Sequence, residues 1–169
     1  MRSAFVTISL IFPLFGFVLS IDNKHKLVWS DEFSGNSLSG NNWQTVVANA
    51  GPSDPNKQLQ YYTASTNNIN VENGLLSLTA IQQSYTGAGG PTDTAQYTSG
   101  SIKSQYKIGF KYGKVVARIK VPKGLGLWPS FSMLPVDDVY GAWANSGQII
   151  LLNMRGSQTH NNIFQIYYG

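Results

Sequence analysis

Gly147-Gln148-Ile149-Ile150-Leu151-Leu152-Asn153-Met154-Arg155-Gly156 is an apolar run held between two glycines. An apolar run of about four to eight residues bounded by turn signals reads as a buried β-strand. Upstream lie Leu127-Trp128-Pro129 and Tyr140-Gly141-Ala142-Trp143, which place two tryptophans close to this run in sequence. Further upstream, Tyr112 to Val121 alternates: Val115, Ala117, Ile119 and Val121 fall on one face of an extended chain, Lys114, Val116, Arg118 and Lys120 on the other. That period of two predicts a strand over 112–121.

The rest of the chain has the same character. Lys26-Leu27-Val28-Trp29-Ser30-Asp31-Glu32-Phe33 reads as a short first strand, followed by a Gly/Ser/Asn turn that leads to Trp43. Residues 47–57 and 84–100 have loop compositions, and Gln58 to Thr63 can be extended. Asn70 to Ala80 predicts a hairpin with Asn73-Gly74 at its turn. No segment of useful length beyond the N-terminal run has helical periodicity, and there is no internal repeat. With 17 glycines and only 12% charged residues in 169, the chain reads as an all-β sandwich in one domain.

Met1 to Ser20 has one early Arg2, an uncharged run from Ser3 to Leu19 and small residues near Ser20. This is the pattern of a secretory signal peptide, with residues 21–169 as the mature domain and an extracellular destination. A membrane anchor fits less well, because the run is short and contains Pro13 and Gly16. No later segment is apolar for long enough to span a bilayer as a helix. Without that leader the net charge falls from +4 to +3, from 11 Lys/Arg and 8 Asp/Glu. There is no cysteine, so stability must come from packing alone. Seven basic residues and no acid fall between Lys103 and Lys123, which fits a solvated strand face. No motif or charge extreme points to nucleic acid.

Several segments together resemble glycoside hydrolase family 16, in the branch of laminarinases and non-catalytic β-1,3-glucan recognition proteins. They are Leu27-Val28-Trp29-Ser30-Asp31-Glu32-Phe33, Asn56-Lys57-Gln58-Leu59-Gln60-Tyr61-Tyr62-Thr63, Val71-Glu72-Asn73-Gly74-Leu75 and Tyr97-Thr98-Ser99-Gly100. The most specific is Tyr112-Gly113-Lys114-Val115-Val116-Ala117-Arg118-Ile119-Lys120-Val121-Pro122-Lys123-Gly124, which runs on into Gly126-Leu127-Trp128-Pro129 and Met133-Leu134-Pro135. The resemblance covers Trp29 to Gly169. It implies a β-jelly-roll of the concanavalin A type whose concave sheet forms a polysaccharide groove. It also implies further strands beyond Gly169, so that 21–169 is expected to be a partial domain, incomplete at the C-terminus and poorly stable alone.

The family's catalytic strand reads Glu-x-Asp-x-x-Glu after a glycine. Retaining hydrolysis needs two carboxyls about 5–5.5 Å apart, one a nucleophile and one an acid/base. Positions i and i+2 of a strand share a face at ~6.6 Å, which places the middle Asp beside the nucleophile. The second Glu is an odd five residues on, so it reaches that face only if a β-bulge adds a residue. Laid on this chain, the resemblance puts the nucleophile at Gln148, the tuning position at Ile150 and the acid/base at Asn153. Neither amide can take its carboxylate's part, and Ile150 offers no charge. Beyond Glu72 only Asp93, Asp137 and Asp138 carry carboxylates. Other departures agree: Gln58 and Val116 stand where the family usually has Glu, Ser101 where a basic residue is common, Ser132 for a groove Trp and Tyr167 for a His. Gly113, Pro122, Trp128, Pro129, Gly147 and Gly156 keep the pattern.

The expectation is a secreted, catalytically inactive protein that binds β-1,3-glucan-type polysaccharide. Trp128 and Trp143 are the candidate stacking platforms, and Gln148 and Asn153 the candidate hydrogen-bonding groups. Trp29 and Trp43 are expected to be structural. Two other readings compete: an active endo-β-1,3-glucanase and a truncated product without function. No redox cofactor, phosphate loop or transition-metal site is marked. Some family members bind structural calcium, but no full ligand set can be placed here.

Overall fold

The computed structural model describes residues 4–8 (backbone only), 26–49 and 56–168. In chain order the strands are β1 (Ala4–Ile8), β2 (Gln44–Thr45), β3 (Ala48–Asn49), β4 (Gln60–Tyr62), β5 (Ile69–Glu72), β6 (Leu75–Thr86), β7 (Thr94–Ser99), β8 (Ile102–Lys103), β9 (Ile119–Lys120), β10 (Ser130–Met133), β11 (Gln148–Asn153) and β12 (Gln165–Tyr167). A 3₁₀ turn at Gly90–Thr92 is the only helical element among the described residues. The all-β class is as the sequence predicts.

The largest sheet runs β3-β4-β7-β6-β1-β9, with β5 also paired to β6. Strand β6 organises it. Its first half lies between β5 and β1, and its second half pairs with β7. The β5–β6 hairpin turns at Asn73 (φ 54°) and Gly74 (φ 72°). Two consecutive positive φ values match the twist of a two-residue hairpin, and Asn and Gly are the residues that tolerate them. A second sheet runs β10-β11-β12, and β2 pairs with β8.

The core is built where apolar residues of β5 and β6 meet the N-terminal loop. Phe33, Ile69, Val71 and Leu76 are buried together, with Leu38, Trp43, Leu78 and Ile102 against them. Asp31 ties the loop down: its carboxylate accepts from the Trp43 indole and the Asn42 amide, each at 2.8 Å, and from the Phe33 N–H at 2.9 Å. Trp29 packs edge-on to Trp43 with centroids 5.7 Å apart, so both tryptophans are structural, as expected.

Three local readings are corrected. Residues 26–33 form no strand; Asp31 folds them into a loop by caging its own neighbours. The loop expected over 84–100 is shorter, since β6 extends to Thr86 and β7 begins at Thr94. There the Thr86 and Thr94 hydroxyls lie 3.0 Å apart across the strands. Of the strand expected over 112–121, only Ile119–Lys120 forms one, and it pairs with β1. Alternation supplies the faces of a strand, but a strand also needs a neighbour to complete its hydrogen bonds. The leader expected over 1–20 lies outside the described residues, apart from the backbone of Ala4–Ile8, which forms β1.

Candidate functional site

The run 147–156 forms β11, the middle strand of the second sheet. Its register with β10 decides the site. Ile149 pairs with Met133 and Ile150 with Ser132, but the next pair is Leu152 with Phe131, and then Asn153 with Ser130. Leu151 is therefore an extra residue, a β-bulge that shifts the parity of everything after it. Partners across an antiparallel pair share a face. Ser130 and Ser132 are two apart on β10, so Asn153 and Ile150 share a face, and Gln148 joins them. The bulge required by the odd spacing is present.

Gln148, Ile150 and Asn153 thus line one face, beside Ser130 and Ser132 of β10 and Tyr167 and Gln165 of β12, the partners of Gln148 and Ile150. The opposite face is apolar: Leu151, Leu152 and Phe131 meet Val115, Ala117 and Ile119 across a cleft of about 400 Å³. Alternation gives the strand pair its two faces, and the bulge brings Asn153 onto the face of Gln148 and Ile150.

The amides of Gln148 and Asn153 are each held by a tryptophan. The Trp143 indole N–H donates to Gln148 Oε1 at 2.8 Å, and Gln148 Nε2 reaches Ser132 Oγ at 3.4 Å. The Trp143 ring leans on Tyr167, with centroids 5.3 Å apart and planes at 54°. At the other end the Trp128 indole N–H donates to Asn153 Oδ1. Trp128 is 49% exposed and Trp143 65%, so both rings remain open to solvent. Ile150, between the amides, is buried. The four residues expected to bind carbohydrate are therefore two hydrogen-bonded pairs at opposite ends of one strand, Trp143 with Gln148 and Trp128 with Asn153.

The backbone around Asn153 is braced by Asn162. Its side chain accepts from Asn153 N–H at 3.0 Å and donates to the Leu151 carbonyl at 3.1 Å, across the bulge. The sequence does not mark Asn162, because its role exists only once the bulge does. Beyond the strand, Gly156 N–H donates to the Leu127 carbonyl at 2.7 Å and Gly124 N–H to the Gly156 carbonyl at 3.0 Å. A Cβ on Gly156 would collide with the Gly124 carbonyl, so this close approach admits only glycine.

The remaining carboxylates are placed elsewhere. Asp93 accepts from Asn49 at 2.9 Å, from the Tyr61 hydroxyl at 3.2 Å and from the Gly89 N–H at 3.2 Å, bracing the loop beside β6 and β7. The Asn49 hydrogen bond leads in holding its pKa below the usual carboxylate value. Burial first, then the Asp93 contact, raises the Tyr61 hydroxyl. Asp137 and Asp138 are exposed in the loop between β10 and β11. Gln58 shares hydrogen bonds with Gln60 and Tyr62 of β4. Among the described residues no group of three or more His, Cys, Asp or Glu is arranged to hold a metal, and no helix is long and apolar enough to cross a membrane.

Residues 56–167 match the model of Glycosyl hydrolases family 16. The chain is 39% identical over 149 residues to glucan endo-1,3-beta-glucosidase A1 of Niallia circulans, covering 85% of this chain and 22% of that protein. It is 36% identical over 72 residues to a beta-1,3-glucan-binding protein of Penaeus monodon, covering 43% of this chain and 20% of that one. The catalytic domain of an endo-1,3-beta-glucanase (laminarinase) from Thermotoga petrophila superposes with a TM-score of 0.77 at 32% identity, over 85% of this chain and 57% of that structure. The chain spans little more than half of that solved domain and about a fifth of the two sequence relatives. The jelly-roll architecture expected from the sequence is the architecture of these laminarinase neighbours.

Proposed function

We propose, from the premise that this chain belongs to glycoside hydrolase family 16, that it is a secreted β-1,3-glucan-binding protein without hydrolytic activity. The observation that carries the reading is the polar face of β11. The positions that the family motif assigns to a nucleophile, a tuning acid and an acid/base are Gln148, Ile150 and Asn153, on one face and in the order retaining hydrolysis would need. None can ionise. Gln148 cannot attack an anomeric carbon to give a glycosyl–enzyme ester, and Asn153 cannot protonate the leaving oxygen.

What the face can do is bind. An open indole ring complements the apolar C–H face of a pyranose, while the amides and serine hydroxyls exchange hydrogen bonds with sugar hydroxyls. Each indole N–H is engaged by an amide, which orients the ring before a ligand arrives and lowers the entropic cost of binding. Relatives of both kinds support the ligand class, since one is named as a β-1,3-glucan-binding protein and another as a glucan endo-1,3-β-glucosidase. The secretory reading rests on residues 1–20, which include β1, so cleavage there would free the edges of β6 and β9 that β1 pairs; N-terminal sequencing of the protein recovered from the medium of expressing cells tests it.

The central test incubates the purified protein with insoluble β-1,3-glucan and measures both its depletion from solution and the release of reducing sugar. Depletion without release is expected. Release above that of a Gln148→Ala variant would sink the inactive reading, and no depletion would sink the binding reading.

A further inference from the structure

Next to the Asn153 end of the site, Asn56, Gly126, Leu127, Trp128, Arg155 and Ser157 line a second cleft of about 390 Å³. That volume is within the range of small-ligand pockets. Arg155 is placed there by its neighbours: Met154 and Gly156 are buried on either side, so the exposed Arg155 side chain turns outward to the cleft wall. It faces the half-exposed Trp128, whose indole edge is tied to Asn153. Arg155 is the one charged residue lining the cleft among the described residues. The adjoining β11 face is neutral as well, since Gln148, Ile150 and Asn153 carry no charge.

Building on the glucan-binding reading, we propose that this cleft is a subsite for an acidic sugar unit, one carrying a carboxylate or a sulfate. A guanidinium presents two parallel N–H donors that match the paired oxygens of either group, and it keeps its charge at every physiological pH. The Trp128 ring takes the apolar face of the same pyranose, and Asn56 and Ser157 flank it with polar groups. A carboxylate at position 148, 150 or 153 would repel such a ligand; with amides and an isoleucine there, the Arg155 field is unopposed on that side. The neutral strand that abolishes hydrolysis thus shifts the site toward anionic glycans.

The test compares carboxymethylated β-1,3-glucan with neutral laminarin, by affinity electrophoresis or calorimetry on the full chain at low salt. The carboxymethylated polymer is expected to bind roughly three- to tenfold tighter, and Arg155→Ala to remove that preference while laminarin binding persists. Raising the salt well above physiological strength should shrink the preference. Lys111→Ala, which removes an exposed cation outside the cleft, should leave it unchanged. Equal binding of the two polymers, or a preference that survives Arg155→Ala or falls equally in Lys111→Ala, overturns the inference and leaves the glucan-binding reading standing. Binding of neither polymer overturns both. Circular dichroism of each variant establishes that a loss reflects the site and not the fold, and Arg155→Gln supplies a second neutral substitution.

Discussion

Asn68 is fully buried, and three hydrogen bonds converge on its amide. It accepts from the Thr63 hydroxyl at 2.6 Å and donates to the Thr79 carbonyl at 2.9 Å and to Thr98 Oγ1 at 3.0 Å. Truncation would strand several buried polar atoms, so Asn68→Ala should lower stability by ~2–4 kcal/mol, read from urea denaturation. Asp93 makes a pH-dependent prediction. Its folded pKa lies below its ordinary value, led by the Asn49 hydrogen bond, so its contribution is present above that ordinary value and lost as pH falls through the folded one. The melting temperature should fall on acidification below about pH 4, and Asp93→Asn should flatten part of that acid limb. At the proposed site, Trp143→Ala removes both the ring and the donor to Gln148, whereas Trp143→Phe removes only the donor. If the ring is a stacking platform, glucan retention falls about tenfold in the first and much less in the second; equal losses would mean that the hydrogen bond matters more.

Among the elements, β11 and the segment before β9 show two different ways in which pattern meets partner. The β11 apolar run was legible as a strand, and the odd spacing of its motif positions called for a bulge. The bulge is at Leu151, where β11 uses one residue more than β10. Residues 112–118 alternate just as clearly, yet among the described residues no strand pairs with them, and Tyr112 and Val116 are exposed at 84% and 60%. Backbone amides of 112–118 should therefore exchange with deuterium far faster than those of β6 and β7, whose ladders hold each other. Slow exchange there would show that the segment is paired in solution. The crossing of residues 124–127 with Gly156 gives another check. Gly156→Ala forces a Cβ into the Gly124 carbonyl, and a loss of ~1–3 kcal/mol is expected, because the obstacle is backbone and has nowhere to move.

For the molecule as a whole, the balance of burial is the notable feature. Phe33, Ile69, Val71 and Leu76 form a real core, but Leu125, Tyr112, Val139 and Tyr140 are each at least 70% exposed, and the apolar face of β11 opens onto the 400 Å³ cleft. Open apolar surface of this extent binds hydrophobic dyes and drives association. The purified chain should enhance the fluorescence of anilinonaphthalene sulfonate in native buffer, and Leu151→Ser, on that face, should weaken the signal. An absence of dye binding would mean that the face is covered in solution.

The sequence by itself determined the all-β class, the Asn73-Gly74 hairpin, the family and the loss of ionisable groups at 148, 150 and 153. These follow from residue identity, local periodicity and turn chemistry, which act over a few residues. Only the tertiary structure decided that 26–33 is a loop caged by Asp31, that 112–118 has no strand partner among the described residues and that Asn162 braces the bulge. It also decided that Trp128 and Trp143 each engage one amide, and that Arg155 is the one charged group lining its cleft among the described residues. Those outcomes depend on which distant segment arrives alongside, and a chain read one stretch at a time holds no record of its neighbours in space.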